Sequence, residues 1–202
     1  MISATVRRRL IIAMLLGLVG GIVYVLSSAA SGPNNNRPYE RFARGVLSGL
    51  DFTYSGSPAG EAIFVNSDKT PVSMETFEGQ VVLVNLWATW CAPCEREMPT
   101  LAALQTARGS DAFKVVAISV DNADASDDAR RALSDWTGGV LDFYHSPDFA
   151  ITYDLGGSTA RGFPTTVLFD ANGKEIARYS GELDWSGYEA VALIDAAIAG
   201  DA

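Results

Sequence analysis

Apolar positions along the chain fall into runs of distinct kinds, and each kind predicts a different element. Leu10 to Leu26 (LIIAMLLGLVGGIVYVL) is a 17-residue stretch without a charge. At about 1.5 Å per residue it would rise roughly 25 Å, near the lower limit for a bilayer-spanning helix. It has no polar face, which argues against a surface helix of a soluble domain. Val81 to Trp87 (VVLVNLW) is apolar on both faces apart from Asn85, the pattern of a central strand covered on both sides. Lys114 to Val120 reads as a second central strand. Between them, Met98, Leu101 and Leu104 recur at helical spacing, predicting a helix from the end of the first strand to about Arg108. Glu61 to Asn66 and Pro71-Val72 predict a hairpin, and Ser73 to Thr76 can cap a single helical turn. A weak helix over Tyr39–Leu50 and a turn-rich stretch over Asp51–Gly60 precede them. Asp127–Trp136 predicts an amphipathic helix, Val140–Tyr144 a strand and Asp148–Asp154 a short helix. A strand through Phe169, a turn at Asp170-Ala171-Asn172-Gly173, a strand over Glu175–Ser180 and a helix over Tyr188–Ala199 close the chain. Strands alternating with helices and ending in a hairpin predict an α/β domain with a mixed central sheet flanked by helices.

The flanks of the first apolar run change its meaning. Residues 1–9 are basic through Arg7, Arg8 and Arg9, which hold the N-terminus in the cytoplasm and send the remainder outward. The run exceeds the usual signal-peptide core of about 7–15 residues, so a retained transmembrane anchor over 10–26 is expected. Ser28-Ala29-Ala30 keeps a cleaved signal peptide open as the alternative. Residues 27–38 (SSAASGPNNNRP) read as a flexible stalk, and residues 39–202 as one compact domain. Both readings place that domain outside the cytoplasm, on the periplasmic side of the inner membrane. The chain carries a formal charge of -9, or roughly -12 once the three arginines are set aside, which argues against nucleic acid as a partner.

Two cysteines, Cys91 and Cys94, and one histidine, His145, limit the chemistry. A disulfide framework and a four-ligand zinc site need more ligands, and a c-type haem site needs His where Glu95 stands. No cofactor or metal is expected. A C-x-x-C pair behind a buried strand and opening a helix puts its first thiol in the positive field of the helix N-terminus, which favours the thiolate. Pro93 fits the first helical turn. Cys91 is expected to attack and Cys94, one turn on and less exposed, to resolve the mixed disulfide. A permanent structural bridge across so short a loop would contribute little stability.

The stretch VVLVNLWATWCAPCEREMPTL, with WATWCAPC followed by E-x-E-x-P, resembles the active-site strand, turn and helix of the thioredoxin superfamily. Within it, the resemblance is to the membrane-anchored TlpA/ResA/CcmG group, and it runs from about Glu61 to Ala199. It implies a thioredoxin fold with an N-terminal β-hairpin extension, Cys91 as nucleophile and Cys94 as resolving thiol. Gly162-Phe163-Pro164-Thr165-Thr166 resembles the superfamily's cis-proline loop. That implies a cis Pro164 facing the cysteines, with the Phe163 and Thr165 backbones pairing with an extended substrate; a trans proline at a strand start is the plain alternative. Glu97 matches a glutamate that lies near the cysteines in ResA-like proteins and tunes their proton chemistry, whereas Glu95 reads as a helix-dipole residue. Asn85 departs from the buried aspartate of thioredoxin and cannot titrate, which moves the proton role toward Glu97 or water. Trp90 is expected to cover the site and Trp87 to pack. His145 reads as solvated or internally satisfied, and Asp121 either caps a helix or lines the site.

The resemblance further implies a monomeric reductase of protein disulfides. It would be fed by a membrane electron donor and act in cytochrome c maturation or in copper-site assembly of cytochrome oxidase. Two other readings stand beside it. A DsbA-like oxidase or isomerase would need a large helical insertion for which the chain has no room. A copper-binding chaperone using the thiols would want more His or Met nearby than Met98. A peroxidase is disfavoured, because peroxiredoxins carry Thr where Ala88 stands.

Overall fold

The structure, a computed structural model, describes residues 38–156 and 162–200. The predicted basic terminus, anchor and most of the stalk lie outside the described residues. Among the described residues no helix is long and apolar enough to cross a membrane.

Among the described residues seven strands form one mixed sheet. They are β1 (Phe64–Asn66), β2 (Pro71–Val72), β3 (Val81–Trp87), β4 (Phe113–Ser119), β5 (Phe143–His145), β6 (Thr165–Phe169) and β7 (Glu175–Ser180), in the order β2-β1-β5-β4-β3-β6-β7. Strands β3, β4 and β5 run parallel, and the remaining pairings are antiparallel. Every residue of β3 is buried, as its two-faced apolar pattern requires. β4 holds the predicted strand shifted by one residue. The predicted hairpin forms as β1–β2, and β1 pairs with β5 to join the main sheet.

Among the described residues four α-helices accompany the sheet: α1 (Ala92–Arg108), α2 (Ser126–Thr137), α3 (Ala150–Gly156) and α4 (Tyr188–Ala199). α1 packs on β4 and α2. Its C-terminal Arg108 reaches Asp195 of α4 through paired hydrogen bonds of 2.6 and 3.1 Å.

Several predicted elements differ in extent: the strand expected over Glu61–Asn66 is Phe64–Asn66, and the helix expected over Asp148–Asp154 is Ala150–Gly156. The helix expected over Tyr39–Leu50 is two short 3-10 turns, Pro38–Phe42 and Gly45–Leu47. Arg44 between them is extended, and Gly45 takes φ +57°, a conformation a side chain resists. The strand expected over Val140–Tyr144 is Phe143–His145, because the pairings of β5 with Ala117–Ser119 and with Val65–Asn66 begin no earlier than Phe143 and leave Val140 exposed. The turn-rich stretch has a role that its composition does not show. Residues 51–59 run along β7, exchanging backbone bonds between Asp51 and Arg178, and adding Gly56 to Glu175, Glu175 to Ser57 and Ala59 to Gly173.

Candidate active site

The buried β3 delivers the chain to the start of α1 through Ala88-Thr89-Trp90. Cys91 occupies the N-cap in an extended conformation, and its Sγ accepts the backbone N–H of Cys94 at 3.3 Å. The Cys91 carbonyl receives the N–H groups of Cys94 and Glu95 at 3.0 and 3.2 Å. The two cysteines are joined as a disulfide. Cys91 is 5% exposed and Cys94 not at all, so any attack from outside must come through Cys91. Unpaired N–H groups at a helix start stabilise negative charge, and the N-cap sulfur sits where that field is strongest.

The loop before Cys91 is fastened from β4. Asp121, 2% exposed, accepts the Thr89 N–H at 2.9 Å, the Thr89 hydroxyl at 2.7 Å and the Ser119 hydroxyl at 2.9 Å. Of the two roles open to Asp121, the structure supports a cap, but for this loop rather than for a helix. His145 is buried, and its Nε2 donates to the Asp121 carbonyl at 2.7 Å, so it is internally satisfied. Trp87 is fully buried edge-to-face with Trp136, as expected of a packing residue.

Trp90 is 64% exposed beside the cysteines and meets the Phe163 ring edge-on at 5.7 Å. That contact brings the loop before β6 against the C-x-x-C loop. The Phe163-Pro164 bond is cis, and Pro164 is buried, its carbonyl accepting the Gly181 N–H at 2.9 Å. Thr165 begins β6 opposite Leu86 and Ser180, and its hydroxyl turns back to Gly162 O at 2.7 Å.

Glu97 lies one turn beyond Cys94 on the same face of α1, with 1% exposure, whereas Glu95 is exposed. Its oxygens bond other protein groups rather than sulfur. Oε1 receives Trp185 Nε1 at 2.7 Å, Asn85 Nδ2 at 3.0 Å and Thr166 Oγ1 at 3.4 Å; Oε2 receives the Leu183 N–H at 3.3 Å. Burial drives the carboxyl up to about 8, an effect the hydrogen bonds only partly offset. A carboxyl that exchanges its proton near pH 8, one helical turn from the buried Cys94, is suited to general acid–base work. The sequence reading missed Trp185 and assigned no task to Thr166. Thr166 lay inside the quoted proline-loop motif; Trp185, 88 residues from Glu97, carried no local signal.

Among the described residues no cluster of three or more His, Cys, Asp or Glu side chains is placed to hold a metal ion.

A family model described as redoxin matches residues 54–196. The chain is similar to the thioredoxin-like protein YneN of Bacillus subtilis, 29% identical over 164 residues, covering 79% of this chain and 87% of that one. It is also similar to the thiol-disulfide oxidoreductase ResA of Bacillus thuringiensis, 27% identical over 134 residues, 63% of this chain and 70% of that one. A thiol:disulfide interchange protein DsbE structure from Chlorobium tepidum matches with a TM-score of 0.61 at 24% identity, over 71% of this chain and 97% of that one, a likeness of fold. Buried strand, N-capping Cys91, shielded Cys94 and relatives agree: this chain is a thiol-disulfide oxidoreductase of thioredoxin-like fold, and it belongs to the redoxin family.

Proposed function

We propose that the protein is an extracytoplasmic disulfide reductase, held at the inner membrane by residues 10–26, with residues 39–202 working as a monomer on the periplasmic side. A membrane dithiol donor reduces Cys91–Cys94. The reduced pair then reduces selected protein disulfides, of the kind handled in cytochrome c maturation or in building the copper site of cytochrome oxidase. The sequence resemblance supports the setting; the geometry supports the chemistry.

In the reducing direction, the Cys91 thiolate attacks one sulfur of the substrate disulfide. A mixed disulfide forms and the first substrate thiolate leaves. Cys94 enters this step as a thiol. Its proton passes to the Glu97 carboxylate, and the Cys94 thiolate attacks Cys91 Sγ, releasing the second substrate thiolate and restoring the enzyme disulfide. The substrate gains two electrons, the enzyme pair loses two, and the proton held by Glu97 is returned to a product thiolate. Asn85 cannot take that proton. Trp90 and Phe163 form the aromatic wall on which a peptide flanking the substrate disulfide would lie, with Pro164 and Thr165 setting the loop behind it.

The observation that carries this reading is the pairing of an N-capped Cys91 with a sealed Cys94 one turn from a buried carboxyl. The test is the reduction potential of the pair, measured by equilibration in a dithiothreitol or glutathione series. A value near about -270 mV, that of thioredoxin, supports a reductase; one near about -120 mV, that of DsbA, makes the protein a disulfide donor and overturns the proposal.

A further inference from the structure

The connection from β7 to α4 does more than close the fold. Over Gly181–Trp185 it approaches both halves of the site. At one end the Gly181 N–H bonds the Pro164 carbonyl, and at the other the Leu183 N–H and the Trp185 indole bond Glu97. The segment is tied to α1 in two further places. Arg96 donates from Nε and Nη2 to Glu182 at 2.9 and 2.6 Å, and the Trp185 N–H bonds Thr100 Oγ1 at 3.1 Å. Thr100 also donates its hydroxyl to the Glu97 carbonyl at 2.8 Å. Trp185 itself is 1% exposed and meets Tyr179 edge-on at 6.4 Å, so the indole has little room to turn.

The two oxygens of Glu97 are treated differently by these neighbours. An indole can only donate, so Oε1 must accept from Trp185 whether the carboxyl is charged or neutral. Asn85 directs its Nδ2 at the same oxygen and also at Thr166 Oγ1, 2.9 Å away, which leaves the Thr166 hydroxyl hydrogen free to point at Oε1. Every neighbour of Oε1 therefore brings a hydrogen. Oε2 has the Leu183 N–H at 3.3 Å and keeps an open lone pair.

We infer that Trp185 is a positioning residue for proton transfer, its indole N–H locking Oε1 of Glu97 as an acceptor and assigning the exchangeable proton to Oε2. The inference rests on the reading of Glu97 as the proton-holding group. A carboxyl free to rotate would offer its proton in either of two directions. One pinned by a donor-only ring presents it in a single direction, and the donor also favours the charged form needed to receive the proton from Cys94. The elements around Glu97 supply few other charges. β3 and β6 contribute the neutral Asn85 and Thr166. α1 contributes Cys94 and, on its exposed side, Glu95 and Arg96. The connecting segment contributes Glu182, paired with Arg96, and the exposed Asp184, and β7 contributes Tyr179 behind the indole.

The test is an NMR titration of the full-length chain in detergent between about pH 5.5 and 9.5. The Trp185 indole Nε1–H resonance, assigned in the wild type by its through-bond and through-space connections to the Trp185 ring and backbone, is expected to move with a midpoint near that of Glu97, about 8, and to stay still in Glu97→Gln. In Trp185→Phe the Glu97 carboxyl carbon should titrate about one to two pH units higher, the effect of losing one hydrogen bond to a charged group. If Trp185→Phe does not fold, the wild-type indole titration and its Glu97→Gln control still decide. An indole resonance that stays flat while the Glu97 carbon titrates overturns the role of Trp185 and leaves that of Glu97 standing. A Glu97 carbon that shows no titration above about pH 6 overturns both.

Discussion

Glu97 and Asp121 are both buried carboxyl groups near the cysteine loop, and both are ringed by donors, yet the donors come from different places. Those of Asp121 come from two sources: the backbone and hydroxyl of Thr89, in the cysteine loop 32 residues earlier, and the hydroxyl of Ser119 two residues away. Those of Glu97 converge from β3, β6 and the segment after β7, and three of the four lie 69 to 88 residues along the chain. A carboxylate gripped by the loop beside it fixes that loop's backbone. A carboxyl enclosed by remote side chains sits in a dry pocket that none of them alone creates, and there desolvation outweighs hydrogen bonding. The number of hydrogen bonds does not separate the two tasks; their origin does.

Four measurements bear on that division. The largest effect belongs to Glu97 and pH. Its carboxyl stays protonated up to about 8 in the folded protein but only to 4.5 in the unfolded chain, so the folded state binds more protons between those values. Stability should therefore fall as pH rises through that window, by roughly 5 kcal/mol in all, and level off above it. In Glu97→Gln most of this slope should vanish in urea titrations at successive pH values; an unchanged slope would place the titrating group elsewhere. Asp121→Ala leaves three donors, one buried and two half-buried, without their acceptor and should cost about 3 kcal/mol in the same assay. A loss under about 1 kcal/mol would show that the loop holds without it. Thr89→Ala removes only the hydroxyl from that clamp, for an expected loss of about 1–2 kcal/mol, and should leave the pH slope intact. Trp90→Ala, at an exposed position, should change stability by no more than about 0.5 kcal/mol while slowing reduction of a disulfide-bearing peptide. Equal peptide rates would remove Trp90 from the docking surface.

The elements closest to the cysteines were the most legible, for a physical reason. β3 is buried on both faces, so its apolar run marks its length, and Cys91-Ala92-Pro93-Cys94 marks the start of α1 through the proline's preference for a first turn. α4 ends at a glycine with φ +67°, and its predicted limits hold. β5 was harder because its pairing with Ala117–Ser119, not its own composition, sets its length. The helix expected near the start of the domain failed at Arg44 and Gly45, where the local pattern was weakest. Within the site, Cys91 and Cys94 could be read from spacing, and Glu97 from resemblance and helical position. Trp185 could not, since only the closed sheet brings residue 185 against residue 97. Asp121 was seen as one of two possibilities and needed the position of Thr89 to decide.

The stretch 51–59 laid along β7 has a consequence for what the molecule does not do. A sheet rim with open N–H and C=O groups is a template on which a foreign chain can add a strand. Here one rim is occupied by the protein's own backbone, and the other ends in β2, two residues long and beginning with Pro71. With one rim covered and the other cut short at a two-residue strand, the sheet offers a foreign chain little backbone to pair with, so a disulfide-bearing protein would meet the cysteines without a sheet to join.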